Sequence, residues 1–124
     1  MPHIFRAVSH DGELLATISN EIVGIHRECY GRGPTKAKTY MFDDYVFTVL
    51  EDFLTTVERT LVEGGQEDLV REVRLKFQES MADRFKQAVA DAVGREVVTY
   101  HSQVTFHPPL GFEIFVLKPE AQTG

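Results

Sequence analysis

The feature that most constrains the fold is an uninterrupted helical pattern that runs from Gln66 to Val93 without a glycine or a proline. At about 1.5 Å per residue, a helix of this length spans roughly 40 Å. Its main apolar stripe is predicted to consist of Leu69, Val73, Phe77, Met81, Phe85, Ala88 and Ala92. A second apolar set lies off this stripe and consists of Leu75, Ala82, Val89 and Val93. A helix that is apolar on two sides is either enclosed within a fold or shared between subunits, and we expect a homodimer.

Two shorter helices are marked by their end signals. Asp11 is a predicted N-cap, and the helix that follows carries apolar residues at spacings of three and four, namely Leu15, Ile18, Ile22, Ile25 and Cys29. Gly31 is its predicted left-handed cap. Thr55 and Glu58 have the spacing of a capping box, which opens a short helix that Gly64-Gly65 ends.

Aromatic and β-branched residues predict two β-hairpins. The first joins Thr39–Phe42 to Tyr45–Leu50 through Asp43-Asp44, and the second joins Glu96–Phe106 to Gly111–Lys118 across Pro108-Pro109. The order α-β-β-α-α-β-β predicts an α+β fold, a mainly antiparallel four-stranded sheet with helices packed on one face. We expect a flexible lead over residues 1–10, a single domain over residues 11–119 and a disordered tail over residues 120–124.

Composition narrows the functional classes. The chain has 124 residues and a formal net charge of -6, and this acidity argues against nucleic-acid binding, which needs a basic face. No apolar run approaches the roughly 20 residues of a membrane span, and no leader pattern follows Met1. A single cysteine fits a reducing compartment. We therefore expect a cytoplasmic protein, with a peripheral position at a membrane as the alternative.

One loop reverses the charge of the chain. Between Glu28 and Asp43 there is no acid, while Arg32, Lys36 and Lys38 lie within seven positions. A helix precedes this loop and a strand follows it, which is the opposite of the context that a phosphate-binding P-loop requires. Side chains could still hold an anion or an acidic partner, and the alternative is a structural turn with solvated lysines. The predicted site consists of Arg32, Gly33, Thr35, Lys36, Lys38 and Tyr40.

The sequence gives little support for a catalytic site or a metal site. His26 and Cys29 lie three apart on the first helix, but zinc needs three or four ligands, and Cys29 lies on the apolar stripe. Asp43-Asp44 is better explained as a turn than as a catalytic pair. No serine lies in a nucleophile elbow. We predict no catalytic residues, no metal and no cofactor.

Several blocks resemble the MpsC family over about residues 14–119. They are Ile18-Ser19-Asn20-Glu21, the loop from Gly31 to Ala37, Leu54-Thr55-Thr56-Val57-Glu58, Phe77-Gln78-Glu79-Ser80-Met81, Gly94-Arg95 and Phe115-Val116-Leu117. The chain departs from the family pattern at Asp52-Phe53, where small residues or glycine are expected, and at Pro109, where an acid is expected. The family takes its name from a sodium-translocating system that generates membrane potential. The resemblance implies a small soluble component that works beside membrane proteins for ion or bicarbonate uptake.

Two functional hypotheses follow. The first is a non-catalytic accessory or regulatory subunit whose basic loop engages an anion or an acidic patch on a membrane complex. The second is a sensor or enzyme for an anion or nucleotide, with its site at the same loop. A pocket lined by Arg32 and Lys36, with Tyr40 nearby, would favour the second hypothesis, and a flat surface would favour the first.

Overall fold

A computed structural model of the protein describes residues 11–120. These residues form three helices and four strands, which are α1 Gly12–Tyr30, β1 Lys36–Phe42, β2 Tyr45–Glu51, α2 Thr56–Glu63, α3 Glu67–Val93, β3 Val97–Phe106 and β4 Pro109–Leu117. The predicted α+β fold, its element order and its long third helix are confirmed. The predicted flexible lead and residues 121–124 of the predicted tail lie outside the described residues.

The sheet is antiparallel, with the strand order β1-β2-β4-β3. Each hairpin pairs its own two strands, and β2 pairs with β4 to join the hairpins. The first turn is Asp43-Asp44, as predicted, with Asp43 at a φ of +51°. The second hairpin turns one residue earlier than predicted, through His107-Pro108, because Pro109 already pairs with Phe106. Strands β1 and β3 form the two edges of the sheet.

The helix ends match the signals in the sequence. The carboxylate of Asp11 accepts a hydrogen bond from the backbone N–H of Leu14 at 3.0 Å. The capping box of Thr55 and Glu58 is complete, since each side chain accepts from the backbone N–H of the other residue. Gly31 and Gly94 end α1 and α3 in the left-handed conformation, which glycine adopts without a Cβ penalty.

Helices α1 and α3 cover one face of the sheet and form the core with it. Ile18, Ile22 and Ile25 of α1 are buried there, as the spacing predicted. The other buried apolar side chains of this core are Val46, Leu50, Phe53, Leu54, Val70, Phe85, Val89, Val97, Val104, Phe106, Phe115 and Leu117. Each contributes about 1.5–3 kcal/mol by leaving water, so this single face carries most of the hydrophobic stabilisation.

The predicted main stripe of α3 is wrong over the first half of the helix. Leu69, Val73 and Phe77 are 43, 40 and 38% exposed, whereas Phe85 is buried. The stripe steps four residues at a time from Leu69 to Phe85, and each such step rotates it by about 40° because one helical turn takes 3.6 residues. A stripe with this spacing winds around the helix instead of facing one neighbour.

The buried face of the first half of α3 consists of Val70, Arg74 and Gln78. The side chain of Arg74 is only 2% exposed and bonds both carboxylate oxygens of Glu58 on α2, at 2.6 and 2.5 Å. It also donates to the carbonyl of Phe53 at 3.1 Å, and its guanidinium lies 3.9 Å from the ring centroid of Tyr30. This buried pair therefore fixes α2 and the preceding loop against α1 and α3.

Candidate functional site

The basic loop begins with Gly31 and Gly33, and the structure requires glycine at the two positions for different reasons. Gly31 takes the left-handed cap conformation, with a φ of +76°. Gly33 packs against α1, where a Cβ would lie 3.1 Å from the carbonyl oxygen of Val23 and 3.4 Å from the Cβ of Arg27. Only glycine allows this approach without displacing the helix. The path of the loop is therefore set by its contact with α1.

Arg32 anchors the loop to the chain that follows β2. Its guanidinium donates to the carbonyls of Asp52 and Leu54, at 2.8 Å each, and to the carboxylate of Asp52 at 2.8 Å. Thr35 donates to the same carboxylate at 3.0 Å. These bonds from Thr35 and Arg32 hold the pKa of Asp52 below its usual range. Two of the predicted site residues thus make contacts inside the chain.

Asp52 lies in a turn with a positive φ. Its φ is +53°, a conformation that glycine adopts easily and that aspartate tolerates better than most residues. A glycine there would fit the turn and keep the two carbonyl acceptors of Arg32, but it would lose the carboxylate that Arg32 and Thr35 bond. The aspartate adds the carboxylate that closes this anchor, and Arg59 of α2 lies 3.4 Å from its other oxygen.

Lys36, Lys38 and Tyr40 lie on β1, at alternate positions that face away from the helices. The ammonium of Lys36 lies 3.5 Å from the carboxylate of Glu51, and both side chains are largely exposed. The ammonium of Lys38 lies 5.6 Å from the centroid of the Tyr40 ring. The structure therefore divides the predicted site into an anchor, formed by Arg32, Gly33 and Thr35, and an exposed row on β1.

The exposed surface that Lys36, Lys38 and Tyr40 form on β1 continues across the whole sheet. The strand register places four residues of each row side by side on the face turned away from the helices, which we call the outer face. Its rows are Phe42-Tyr45-Val116-Thr99, Tyr40-Phe47-Ile114-His101, Lys38-Val49-Phe112-Gln103 and Lys36-Glu51-Leu110-Thr105. Nine of these positions are apolar or aromatic, and the charged residues gather at the end near the basic loop.

Aromatic rings form the exposed surface of β1 and β2. Tyr40, Phe42 and Tyr45 are 42, 42 and 45% exposed, which is high for large rings. The ring of Tyr40 stacks on that of Phe47 with 5.0 Å between centroids, and Phe42 lies 5.8 Å from Tyr45. Within residues 11–120, no helix covers this face. Sequence reasoning included only Tyr40 and the lysines, although the period-two alternation of β2 and β4 could have revealed the rest.

A polar cluster that the sequence did not predict lies inside the protein. His26 Nε2 lies 3.1 Å from Glu113 Oε1, and the hydroxyl of Tyr100 donates to Glu113 Oε2. Burial and the neighbouring carboxylate raise the pKa of Tyr100. His26 and Glu113 are 2 and 1% exposed, so a substrate cannot reach them. The cluster ties α1 to β3 and β4, although His26 Nδ1 has no hydrogen-bond partner among the described residues.

His26 and Cys29, which lie three residues apart on α1, contact different partners. The thiol of Cys29 lies 3.1 Å from the sulfur of Met81, while His26 is bonded to Glu113. Among residues 11–120, no group of three or more His, Cys, Asp and Glu side chains is arranged to hold a metal ion. In the same part of the chain, no helix is long and apolar enough to cross a membrane.

Comparisons with known proteins give one match. No curated protein and no solved structure matches the chain. A family model described as "Na+-translocating membrane potential-generating system (MpsC)" matches residues 10–119, which is most of the chain and includes both the loop anchor and the outer face. The protein therefore belongs to the MpsC family, whose description links it to a sodium-translocating system that generates membrane potential.

Proposed function

We propose that the protein is a non-catalytic accessory or regulatory subunit that binds a membrane component of the sodium-translocating system through its outer face. The observation that carries this proposal is the outer face, which no described helix covers and on which nine apolar or aromatic residues adjoin two lysines. Soluble monomers rarely expose a contiguous apolar patch larger than a few hundred Å², and larger patches mark interaction sites. The bound protein would lie at the cytoplasmic surface of the membrane.

The charge of the outer face favours an acidic partner. The chain carries a net charge of -6, yet the only acid in the four rows of this face is Glu51, which lies against Lys36. Lys38 is left without an acidic partner among the described residues. An acidic partner surface would be repelled by most of this protein and attracted here, which orients the encounter.

The loop has a supporting role in this proposal. Arg32 and Thr35 fix the segment that leads into β1, and Gly33 fixes it against α1. This anchoring sets where Lys36 and Lys38 emerge. Arg32 therefore acts on binding through the position of β1, whereas Lys38 and Tyr40 would touch the partner.

The proposal is tested with membrane components of the system purified into lipid nanodiscs and the full-length protein immobilised for biolayer interferometry. The variant Tyr40→Ser/Phe47→Ser removes two stacked rings of the outer face and should weaken binding at least about tenfold. The matched control Val57→Ser/Leu75→Ser removes exposed apolar groups from α2 and α3 and should bind like the wild type. Equal loss in both variants, or no loss in the first, would refute the proposal.

A second candidate function is an anion or nucleotide sensor, which a cavity of about 600 Å³ beside the loop favours. Arg27, Thr35 and Lys36 line it, whereas Arg32 and Tyr40 do not. A thermal-shift screen against phosphate, bicarbonate and nucleotides tests this function. A ligand at 100 times its dissociation constant adds about 2.7 kcal/mol, which raises the melting temperature by several degrees. No shift with any of these ligands would exclude them.

The homodimer expected from α3 also belongs to this proposal. Leu69, Val73 and Phe77 form an exposed strip on one side of the helix, and Leu75 is 51% exposed on another. Joining two copies through the strip would leave the outer face free for the membrane component. Sedimentation equilibrium should give twice the chain mass for the wild type and the chain mass for Val73→Glu/Phe77→Glu. A monomeric wild type would exclude the dimer.

A further inference from the structure

A groove runs between α1 and the open edge of the sheet at β1. Two adjoining cavities of about 340 and 600 Å³ form it, and they share Ser19, Asn20 and Ala37 as lining residues. The groove is lined by four consecutive residues of β1, from Lys36 to Thr39. In a strand, successive side chains point to opposite faces of the sheet. Because the groove contacts residues from both faces, it lies along the edge of β1, where the strand backbone is accessible.

Within residues 11–120, no strand pairs with the backbone groups on this side of β1. In the order β1-β2-β4-β3, β1 pairs with β2 on one side only. Unpaired N–H and C=O groups on an edge strand are a template for an added strand. In peptide-binding domains of this kind, an extended segment joins the edge beside a helix, and pockets next to the strand select its side chains.

The two ends of the groove have different chemistry. Near the start of α1 it is lined by Leu15, Ala16 and Ala37, and near the basic loop by Arg27 and Lys36. No acid lines either cavity in the described chain, although the protein has 19 acidic and 13 basic residues. The groove therefore matches a segment with an apolar residue at one end and a carboxylate at the other.

We propose that the groove binds an extended, acidic segment of another protein, which adds to β1 as a fifth strand. A second copy of this chain fits poorly through its own β1, because that strand carries two lysines and no acid to meet the basic end of the groove. Each copy also carries a net charge of -6. The groove adjoins the outer face and shares Lys36 and Lys38 with it, but peptide binding to the isolated protein tests the groove whether or not the membrane component binds.

The test is a selection of random peptides as long as β1, seven residues, displayed on phage and captured by the full-length protein. Enriched peptides are then synthesised with a fluorescent label, and their affinity is measured by anisotropy. We expect sequences with alternate apolar residues and at least one Asp or Glu. Methylation of alternate backbone nitrogens should abolish binding, because it removes donors that a paired strand needs.

Four variants locate the binding site. Ala16→Trp fills the apolar end of the groove and should weaken peptide binding at least about tenfold. Its control, Thr17→Trp, adds a side chain of the same size at a residue that does not line the groove, and it should leave peptide binding unchanged. Arg27→Gln/Lys36→Gln removes two cations, keeps the methylene groups beside Gly33 and should weaken binding about tenfold, with Lys76→Gln as the charge control. Selection of no peptide, of basic peptides, of sequences from this chain itself or of peptides insensitive to Ala16→Trp would overturn the proposal.

Discussion

Replacing Arg74 by methionine should strongly destabilise the protein, because the buried pair with Glu58 holds three helices together. Methionine has a similar length but no charge, so it leaves Glu58 without the two donors at 2.6 and 2.5 Å and the carbonyl of Phe53 without its donor at 3.1 Å. Breaking a buried pair by removing one partner costs about 3–5 kcal/mol. Because Glu58 retains slight exposure, we expect about 3 kcal/mol for the carboxylate and about 1 kcal/mol for the carbonyl.

The expected loss of about 4 kcal/mol is a large part of the roughly 5–15 kcal/mol that stabilises a domain. For a domain of this size it lowers the melting temperature by about 15 °C. Urea unfolding and calorimetry measure both quantities. The control Arg71→Met, three residues earlier on α3, removes an exposed arginine that pairs with Asp68 at 3.0 Å and should cost less than about 1 kcal/mol.

A double-mutant cycle separates the pair from general damage to the core. Glu58→Gln keeps an oxygen that can accept from the backbone N–H of Thr55, so the capping box survives while the charge is lost. The variant Arg74→Met/Glu58→Gln buries no unpaired charge and should cost at least about 1 kcal/mol less than the sum of the single changes. Additive costs, or a loss below about 1 kcal/mol for Arg74→Met, would refute this explanation of the pair.

Three further predictions concern the loop and the pH dependence. Gly33→Ala should lower the free energy of unfolding by about 1–3 kcal/mol in urea titrations, because its Cβ would meet the backbone of α1. Gly24→Ala, which lies in open space within α1, should raise it by about 0.5–1 kcal/mol, and a stabilising Gly33→Ala would contradict the close approach. Arg32→Ala should lower the free energy of unfolding by about 1–3 kcal/mol, because two carbonyls lose their donor. Replacement of the exposed Lys36 by alanine should change it by less than about 0.5 kcal/mol. Equal losses in the two variants would argue against the anchor. Burial alone would raise the pKa of Glu58, but hydrogen bonds from Arg74 and Thr55 lower it, so the unfolded chain binds the proton first as the pH falls. The free energy of unfolding should therefore decrease below about pH 4.3, and it should decrease less steeply in Glu58→Gln. An identical pH dependence of the urea midpoint in the two proteins would contradict this.

Local signals in the sequence predicted most of the fold. The N-caps at Asp11 and Thr55, the left-handed glycines Gly31 and Gly94 and the turn at Asp43 act within a few residues of the chain, so their effect can be read from neighbouring residues. The apolar spacing of α1 also predicted its buried face. These are the features for which local preference and the final structure agree.

Features that depend on distant partners could not be predicted in this way. Arg74 and Gln78 occupy the buried face of α3, although their residue types favour solvent. Arg74 can be buried because Glu58, sixteen positions away, supplies the opposite charge. Arg32 is predicted to hold an anion or an acidic partner, and the structure adds three hydrogen bonds to the chain after β2, an approach that no local sequence pattern indicates. The outer face follows from the sheet order, which joins the two hairpins through β2 and β4.

The central proposal, that the outer face binds a membrane component of the system, is tested most directly by hydroxyl-radical footprinting of the free and bound protein. The exposed rings of Tyr40, Phe42 and Tyr45 react readily in the free protein and should be strongly protected in the complex, while Leu75 of α3 should react equally in both states. Protection of Leu75 with unchanged reactivity of the three rings would place the interface on the helices and contradict the proposal.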